Sequence, residues 1–247
     1  MALLVAALLF PLTGLLAGIG PWRFDGDTPG STLAAVKISV GLTGLALIFI
    51  VVLGTPAAWY LARLAGTTRT LWEAALLVSV LLPPLALGLL LALAFGPGTA
   101  VGAWLLRLGV ATSNSAVSFV ATQVYVGMGY YVLAARGAFE SVPRELERTA
   151  GLLGATPWRV FWRITFPLAR LGLAVAFSLA WVRALGEFGA VMVTSYFPAG
   201  MPVQLWVNLQ DSGLPAVMPL LLVFLLTALP LPLLAHLLAR HRERSGA

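Results

Sequence analysis

The sequence predicts an all-α integral membrane protein with six transmembrane helices. Three observations predict it. Sixty per cent of residues are hydrophobic and only ten per cent are charged, against roughly 25% charged in a soluble domain. The charges gather at the ends of long uncharged runs, and a run of roughly 18 residues or more is long enough to cross a bilayer as a helix. The period-2 alternation of an outer-membrane barrel is absent.

Each helix follows from one run. Met1–Gly20 has no charged side chain and predicts a first helix at about 2–20. A secretory signal puts basic residues before a shorter apolar run. Here only the amino terminus precedes the run, so a retained helix is expected. Ile38–Ala62 predicts a second helix at 36–62. Ala74–Leu106 predicts a third at 73–95, with Pro83-Pro84 inside it and Gly96-Pro97-Gly98 ending it. Leu108–Ala135 predicts a fourth at 113–135. Leu171–Gln210, broken only by Arg183 and Glu187, predicts a fifth at 169–195, and Ser212–Ala239 a sixth at 215–239. The whole of 1–247 reads as one membrane domain. Pro56, Pro219, Pro230 and Pro232 bend helices, and the carbonyls they free need a neighbouring helix or water. A packed bundle with a cavity is the expectation. Gly14-x-x-x-Gly18 and Gly98-x-x-x-Gly102 offer close helix approach.

Orientation follows from the cations, because Lys and Arg accumulate on the cytoplasmic side. With the amino terminus inside, that side holds Arg63, Arg69, the six arginines from Arg136 to Arg170, and Arg240, Arg242 and Arg244, which makes 11. The outside holds Arg23, Lys37 and Arg107, which makes 3. Both termini are therefore expected in the cytoplasm. Trp22, Trp104, Tyr196 and Trp206 fall near the outer boundary, and Trp59, Tyr60, Trp72, Tyr130 and Tyr131 near the inner one. Amphipathic rings prefer those depths.

The loop 136–168 is the one long polar stretch. Arg136 to Arg170 holds six Arg and three Glu of the 24 charged side chains. Ser141 is placed to cap a helix beginning near Pro143, with Glu145 and Glu147 at the positive end of its dipole. Gly154 stops it. Thr156-Pro157 starts a second helix, and Pro167 is expected to end that. Leu146, Leu152, Leu153, Val160, Phe161 and Ile164 are expected to pack this elbow under the bundle. Arg144, Arg148, Arg159 and Arg163 are left to face a partner or anionic lipid headgroups.

Several function classes are excluded or disfavoured. The net charge of +6 does not signal nucleic acid, since the charges sit at span ends and not on one soluble face. There is no cysteine, so no thiolate site or nucleophile. Lys37 is the single lysine, and no G-x-x-x-x-G-K-[ST] phosphate loop exists. His236 and His241 lack metal-ligand spacing, so no metal or cofactor is expected. A membrane-embedded enzyme needs a cluster of ionisable groups within the spans, and only Arg183 and Glu187 lie there. A secondary transporter or channel favours an inverted repeat and ionisable groups on several helices. It leaves the elbow unexplained.

Arg183 and Glu187, four residues apart, share a helix face. A charge in mid-bilayer costs on the order of 2.5–3.5 kcal/mol on insertion scales, so the pair should face the bundle interior. Two roles stand open: a structural ion pair, or a place in an anion path or gate. Gly186, Phe188 and Gly189 thin and line the same region.

The loop resembles the signature of membrane subunits of binding-protein-dependent ABC importers, whose pattern is E-A-A, three residues, G, nine residues, I-x-L-P. Ala150, Gly154, Ile164 and Pro167 match. Arg148-Thr149 stand in place of E-A, Phe166 replaces the leucine, and Glu147 lies one residue before the motif. Gly54–Arg63, Leu81–Pro84 with Gly88, and above all Arg183–Ala190 are similar to the molybdate, tungstate and sulfate branch, most to the molybdate permease. Tyr196–Gly200 departs from the branch's N-I-P-G turn. The resemblance implies that Glu147, Arg148, Ala150, Gly154, Ala155, Ile164 and Pro167 couple to a cytoplasmic ABC ATPase dimer. It also implies that Arg183, Gly186, Glu187, Phe188 and Gly189 belong to the path or gate. An extracytoplasmic oxyanion-binding protein and a second copy of the chain, as a homodimer in the inner membrane, complete the implied assembly. ATP hydrolysis would lie in the partner, so this chain is expected not to be an enzyme.

Overall fold

The structure, a computed structural model, describes residues 2–17 and 28–245. All of the regular secondary structure among those residues is helical. Among them, four helical stretches are long and apolar enough to cross a membrane: Gly30–Leu61, Ala116–Glu140, Pro157–Leu185 and Leu214–Leu238. A fifth arises if the bent pair Gly66–Leu81 and Pro84–Phe95 is one broken span.

The first helix, α1 (Ala2–Ala17), has 16 described residues, short of the roughly 20 that span hydrocarbon. The end of the expected 2–20 helix, with Gly18, Trp22 and Arg23, lies outside the described residues. The second, α2 (Thr28–Leu61), begins eight residues before the expected 36 and runs unbroken past Pro56. It takes Lys37 into its length.

The expected single helix at 73–95 is two helices, α3 (Gly66–Leu81) and α4 (Pro84–Phe95), meeting at 110°. Two adjacent prolines are the reason. Leu82, ahead of Pro83, is extended with ψ 134, as a residue before proline prefers. Pro84 then opens α4, where its missing N–H costs nothing. A short α5 (Ala100–Arg107) follows, capped by Thr99 accepting from Gly102 N–H.

The centre of the bundle is α6 (Ala116–Glu140), opened by a Ser115–Ser118 capping box. It extends five residues past the expected 135, so Arg136 is helical. It packs between α2 and the long helix α9 (Phe166–Leu185). Leu47, Ile50, Tyr131, Val132 and Ala176 form the main core there.

Helix α9 ends at Leu185, ten residues before the expected 195, and breaks at Gly186. A six-residue helix, α10 (Gly189–Thr194), follows. The break is fixed by packing: a Cβ on Gly189 would meet Pro84 at 2.9 Å, and one on Gly88 would meet the Ala190 Cα at 2.8 Å. Helices α4 and α10 therefore cross backbone to backbone. The glycine pairs singled out from spacing are not such contacts. A Cβ on Gly14 or Gly98 meets nothing, and one on Gly102 meets its own loop at Gly96. The stretch before the last span, expected as loop, holds α11 (Met201–Ser212), which buries Met201 and Val203. The final span is α12 (Leu214–Ala228) followed by α13 (Pro230–Ser245).

Candidate functional site

The elbow is built from α7 (Arg144–Leu152) and α8 (Pro157–Val160), the latter leading through a π-type turn, Phe161–Thr165, into α9. Ser141 does not cap α7. It ends α6, its Oγ donating to the Ala138 carbonyl at 2.8 Å, and Pro143 stands at the α7 start without a side-chain cap. The far end of α7 closes as the spacing predicts. Gly154 has φ +84, its N–H reaches the Gly151 carbonyl, and the Ala155 N–H reaches the Ala150 carbonyl, both at 3.0 Å. This paired closure is a Schellman motif, and it places Ala150 and Ala155 at the two ends of the reversal. The Thr156 hydroxyl accepts from the Arg159 N–H at the start of α8.

Pro167 does not end the second helix. The Phe166 N–H reaches back five residues to Phe161, and that wider turn sits where a proline ring would otherwise clash with the carbonyl four residues back. The chain from Pro157 to Leu185 is consequently one continuous helical stretch, long and apolar enough to cross a membrane. Ile164 and Pro167 are half-buried in its first turns.

Three of the six apolar residues expected beneath the bundle are on the surface. Leu152 is 90% exposed, Leu153 84%, and Leu146 about half. The base of α7 is tethered while its end projects. The Arg144 Nη2 donates to the Ala62 carbonyl at 2.7 Å. Glu147 turns inward, accepting from Arg63 Nη2 and from Thr165 Oγ1 on the same oxygen. Burial pulls the Arg63 guanidinium below its ordinary value while Glu147 pulls it back up, so this ion pair is partly dehydrated. Phe161 is the pivot of an aromatic cluster with Trp59, Phe139, Trp158, Trp162 and Phe166.

Besides Arg63 and Arg144, the cations of this end divide into two sets. Arg69 and Arg136 join Glu73 and Glu140 in one alternating network that ties α3 to the end of α6. Arg148, Arg159, Arg163 and Arg170 are exposed and have no carboxylate partner among the described residues. The elbow thus exposes two leucines at the end of α7 together with Arg148 and Arg159.

The second candidate region lies at the break between α9 and α10. Arg183 and Glu187 pair through Nη1 and Oε2. The Glu187 side chain is 1% exposed and the Arg183 side chain 20%. The other Glu187 oxygen accepts the Ala190 N–H at 2.7 Å, satisfying a free donor in the first turn of α10. The Arg183 guanidinium sits 5.4 Å over the Tyr130 ring of α6. Phe188 packs on Trp206 of α11, with rings 5.9 Å apart, and Gly186 is exposed. The five residues singled out from the sequence therefore lie together at the break between α9 and α10.

Sequence reading missed the polar clamp beside that break. Gln123 on α6, 1% exposed, donates to Thr43 Oγ1 at 3.0 Å and to the Ala184 carbonyl at 2.9 Å. It thereby ties α2, α6 and α9 together. Thr122 and Thr194 share a hydrogen bond of 2.7 Å nearby. A side-chain amide in the middle of an uncharged run was the available signal. A cavity of ≈ 930 Å³ lies between α2, α3, α4 and α6 and is lined mainly by apolar groups such as Phe49, Trp72, Phe95 and Tyr125. That chemistry suits hydrocarbon, not a hydrated anion.

Comparison with known proteins gives the family and the fold. Residues 50–245 match the family described as binding-protein-dependent transport system inner membrane component. A probable molybdenum ABC transporter permease protein of Haloferax volcanii is 33% identical over 235 residues, covering 93% of this chain and 84% of that protein. The molybdenum transport system permease protein ModB of Escherichia coli K12 is 32% identical over 222 residues, covering 86% of this chain and 96% of that one. Among solved structures, a bacterial alginate ABC transporter in complex with an alginate pentasaccharide-bound periplasmic protein superposes with a TM-score of 0.74 at 16% identity. It covers 97% of this chain and 93% of that chain, and at that identity the likeness is one of fold.

Proposed function

The chain belongs to the binding-protein-dependent transport system inner membrane component family, and from that premise we propose that it is the permease subunit of an ABC importer for molybdate. Tungstate and sulfate are the next candidates. Relatives sharing about a third of their residues over nearly the whole chain carry molybdenum transport in their names, which supports this substrate. Transport is by alternating access, driven by a separate cytoplasmic ATPase dimer and fed by an extracytoplasmic oxyanion-binding protein. Two copies of the chain frame the path.

One observation carries the coupling part of this reading. Leu152 and Leu153 stand in the open at the end of a tethered, Schellman-closed elbow, and Arg148 on the same helix and Arg159 on the next are exposed as well. An apolar tip held out by a rigid base is a surface built to be covered. The ATPase covers it, with Arg148, Ala150, Gly154 and Ala155 shaping the contact. The elbow faces the cytoplasm, as do both termini, in keeping with the eleven-to-three distribution of cations. Six spans per chain follow if residues 2–20 form one and the bent pair α3–α4 another. At the break between α9 and α10, Glu187 is structural, a buried cap for α10 and the counter-ion of Arg183. Arg183, the more exposed of the two, presents positive charge to the passing oxyanion.

Cells lacking this gene are expected to lose high-affinity uptake of labelled molybdate and to regain it from the wild-type copy. Excess tungstate is expected to compete, and excess sulfate to compete less. Unchanged molybdate uptake in the deletion strain, with a loss of sulfate uptake, would move the assignment to the sulfate side of the branch.

A further inference from the structure

We propose that Glu147 is a strut, a positioning residue that carries motion of the elbow into the bundle and makes no contact with the ATPase. The proposal rests on the elbow reading above and assigns a role inside it. Glu147 is the point where three elements meet. It belongs to α7, its carboxylate holds Arg63 just past the end of α2, and the same oxygen accepts a hydrogen bond from the Thr165 hydroxyl where α9 begins. Its side chain is only 16% exposed, and Thr165 is fully buried.

The partners are themselves fixed. Arg63 donates through Nη1 to the Trp59 carbonyl at 3.0 Å and lies 4.5 Å over the Trp59 ring. It has little freedom to follow a different carboxylate. Trp59 stands edge-on to Phe161 at 5.7 Å, and Arg144 grips the Ala62 carbonyl beside it. The elbow therefore cannot tilt without drawing on the ends of α2 and α9. Those two helices sandwich α6, which carries Gln123 and Tyr130 up to the Arg183–Glu187 pair. Glu145, by contrast, is exposed and without a cationic partner among the described residues. An acidic contact with an ATPase would fall to it.

The test uses the reconstituted complex of permease, ATPase and binding protein, and reads oxyanion imported per ATP hydrolysed beside ATPase co-purification. Glu147→Ala and Arg63→Ala are each expected to lower that ratio about tenfold while the ATPase still co-purifies, with the double variant no lower than either single. Glu147→Gln keeps an acceptor for both donors and is expected to fall between wild type and alanine. It also serves as the reading if the alanine variant does not fold. The proposal is overturned if the ratio stays at the wild-type value in these variants. It is equally overturned if Glu147→Ala loses the ATPase while Arg63→Ala keeps it, for then the carboxylate touches the partner. Failure of the elbow reading itself would look different: the ATPase would remain bound when the Leu152–Leu153 tip is made acidic.

Discussion

Replacing Leu152 and Leu153 together with aspartate is expected to leave the permease folded and to weaken its hold on the ATPase at least about a hundredfold. Neither side chain contributes to the core, as both are more than four-fifths exposed, so the free subunit loses little. Covering a leucine contributes roughly 1.5–3 kcal/mol, and tenfold in affinity corresponds to about 1.4 kcal/mol. Two such residues, replaced by carboxylates that would have to be dehydrated in the contact, give the stated loss even after allowing for non-additive effects. Co-purification of the ATPase on the tagged permease, with thermal stability of the permease as the control, checks it. Equal recovery of ATPase with wild type and variant would mean that some other surface carries the contact.

Glu187→Ala is expected to have the largest effect on the fold. The carboxylate is buried, holds Arg183, and satisfies the Ala190 N–H. Its removal strands a guanidinium and a backbone donor inside the protein. Breaking one side of a buried pair costs about 3–5 kcal/mol, which is expected to lower the unfolding temperature in detergent by about 10 °C. Arg183→Ala is expected to cost less stability, because Glu187 keeps the Ala190 N–H, yet to reduce oxyanion uptake in proportion to the lost positive charge. Arg183→Lys keeps that charge and is expected to recover part of the uptake. Equal melting of both alanine variants, with equal loss of uptake, would show that the pair acts as one structural unit and not as cap and path cation.

The features the sequence disclosed are those written in local chemistry. Hydropathy places the long spans, because dehydration acts on each segment by itself. The Gly154 reversal and the Thr156-Pro157 start are legible for the same reason: a positive φ and a capped first turn need only their own neighbours. The features that stayed hidden depend on distant residues or on what covers a surface. Pro83-Pro84 signals a break, but its 110° angle is set by α4 docking through Gly88 against Ala190. Arg183 and Glu187 at i,i+4 read as continuous helix, whereas Glu187 lies past the helix end and caps the next one. Leu152 and Leu153 read as buried because hydrophobicity does not say whether their own chain or a partner does the burying. The Glu147–Arg63 pair joins residues 84 positions apart, and no spacing rule announces it.

Everything turns on whether this subunit moves its solute only when driven through the elbow. The direct measurement is labelled molybdate accumulation in proteoliposomes of the purified permease, with and without the ATPase, binding protein and MgATP. Accumulation is expected only when all are present, and it should vanish for the Leu152→Asp/Leu153→Asp variant under the same conditions. Steady uptake by the permease alone, with no nucleotide-hydrolysing subunit in the membrane, would contradict the account.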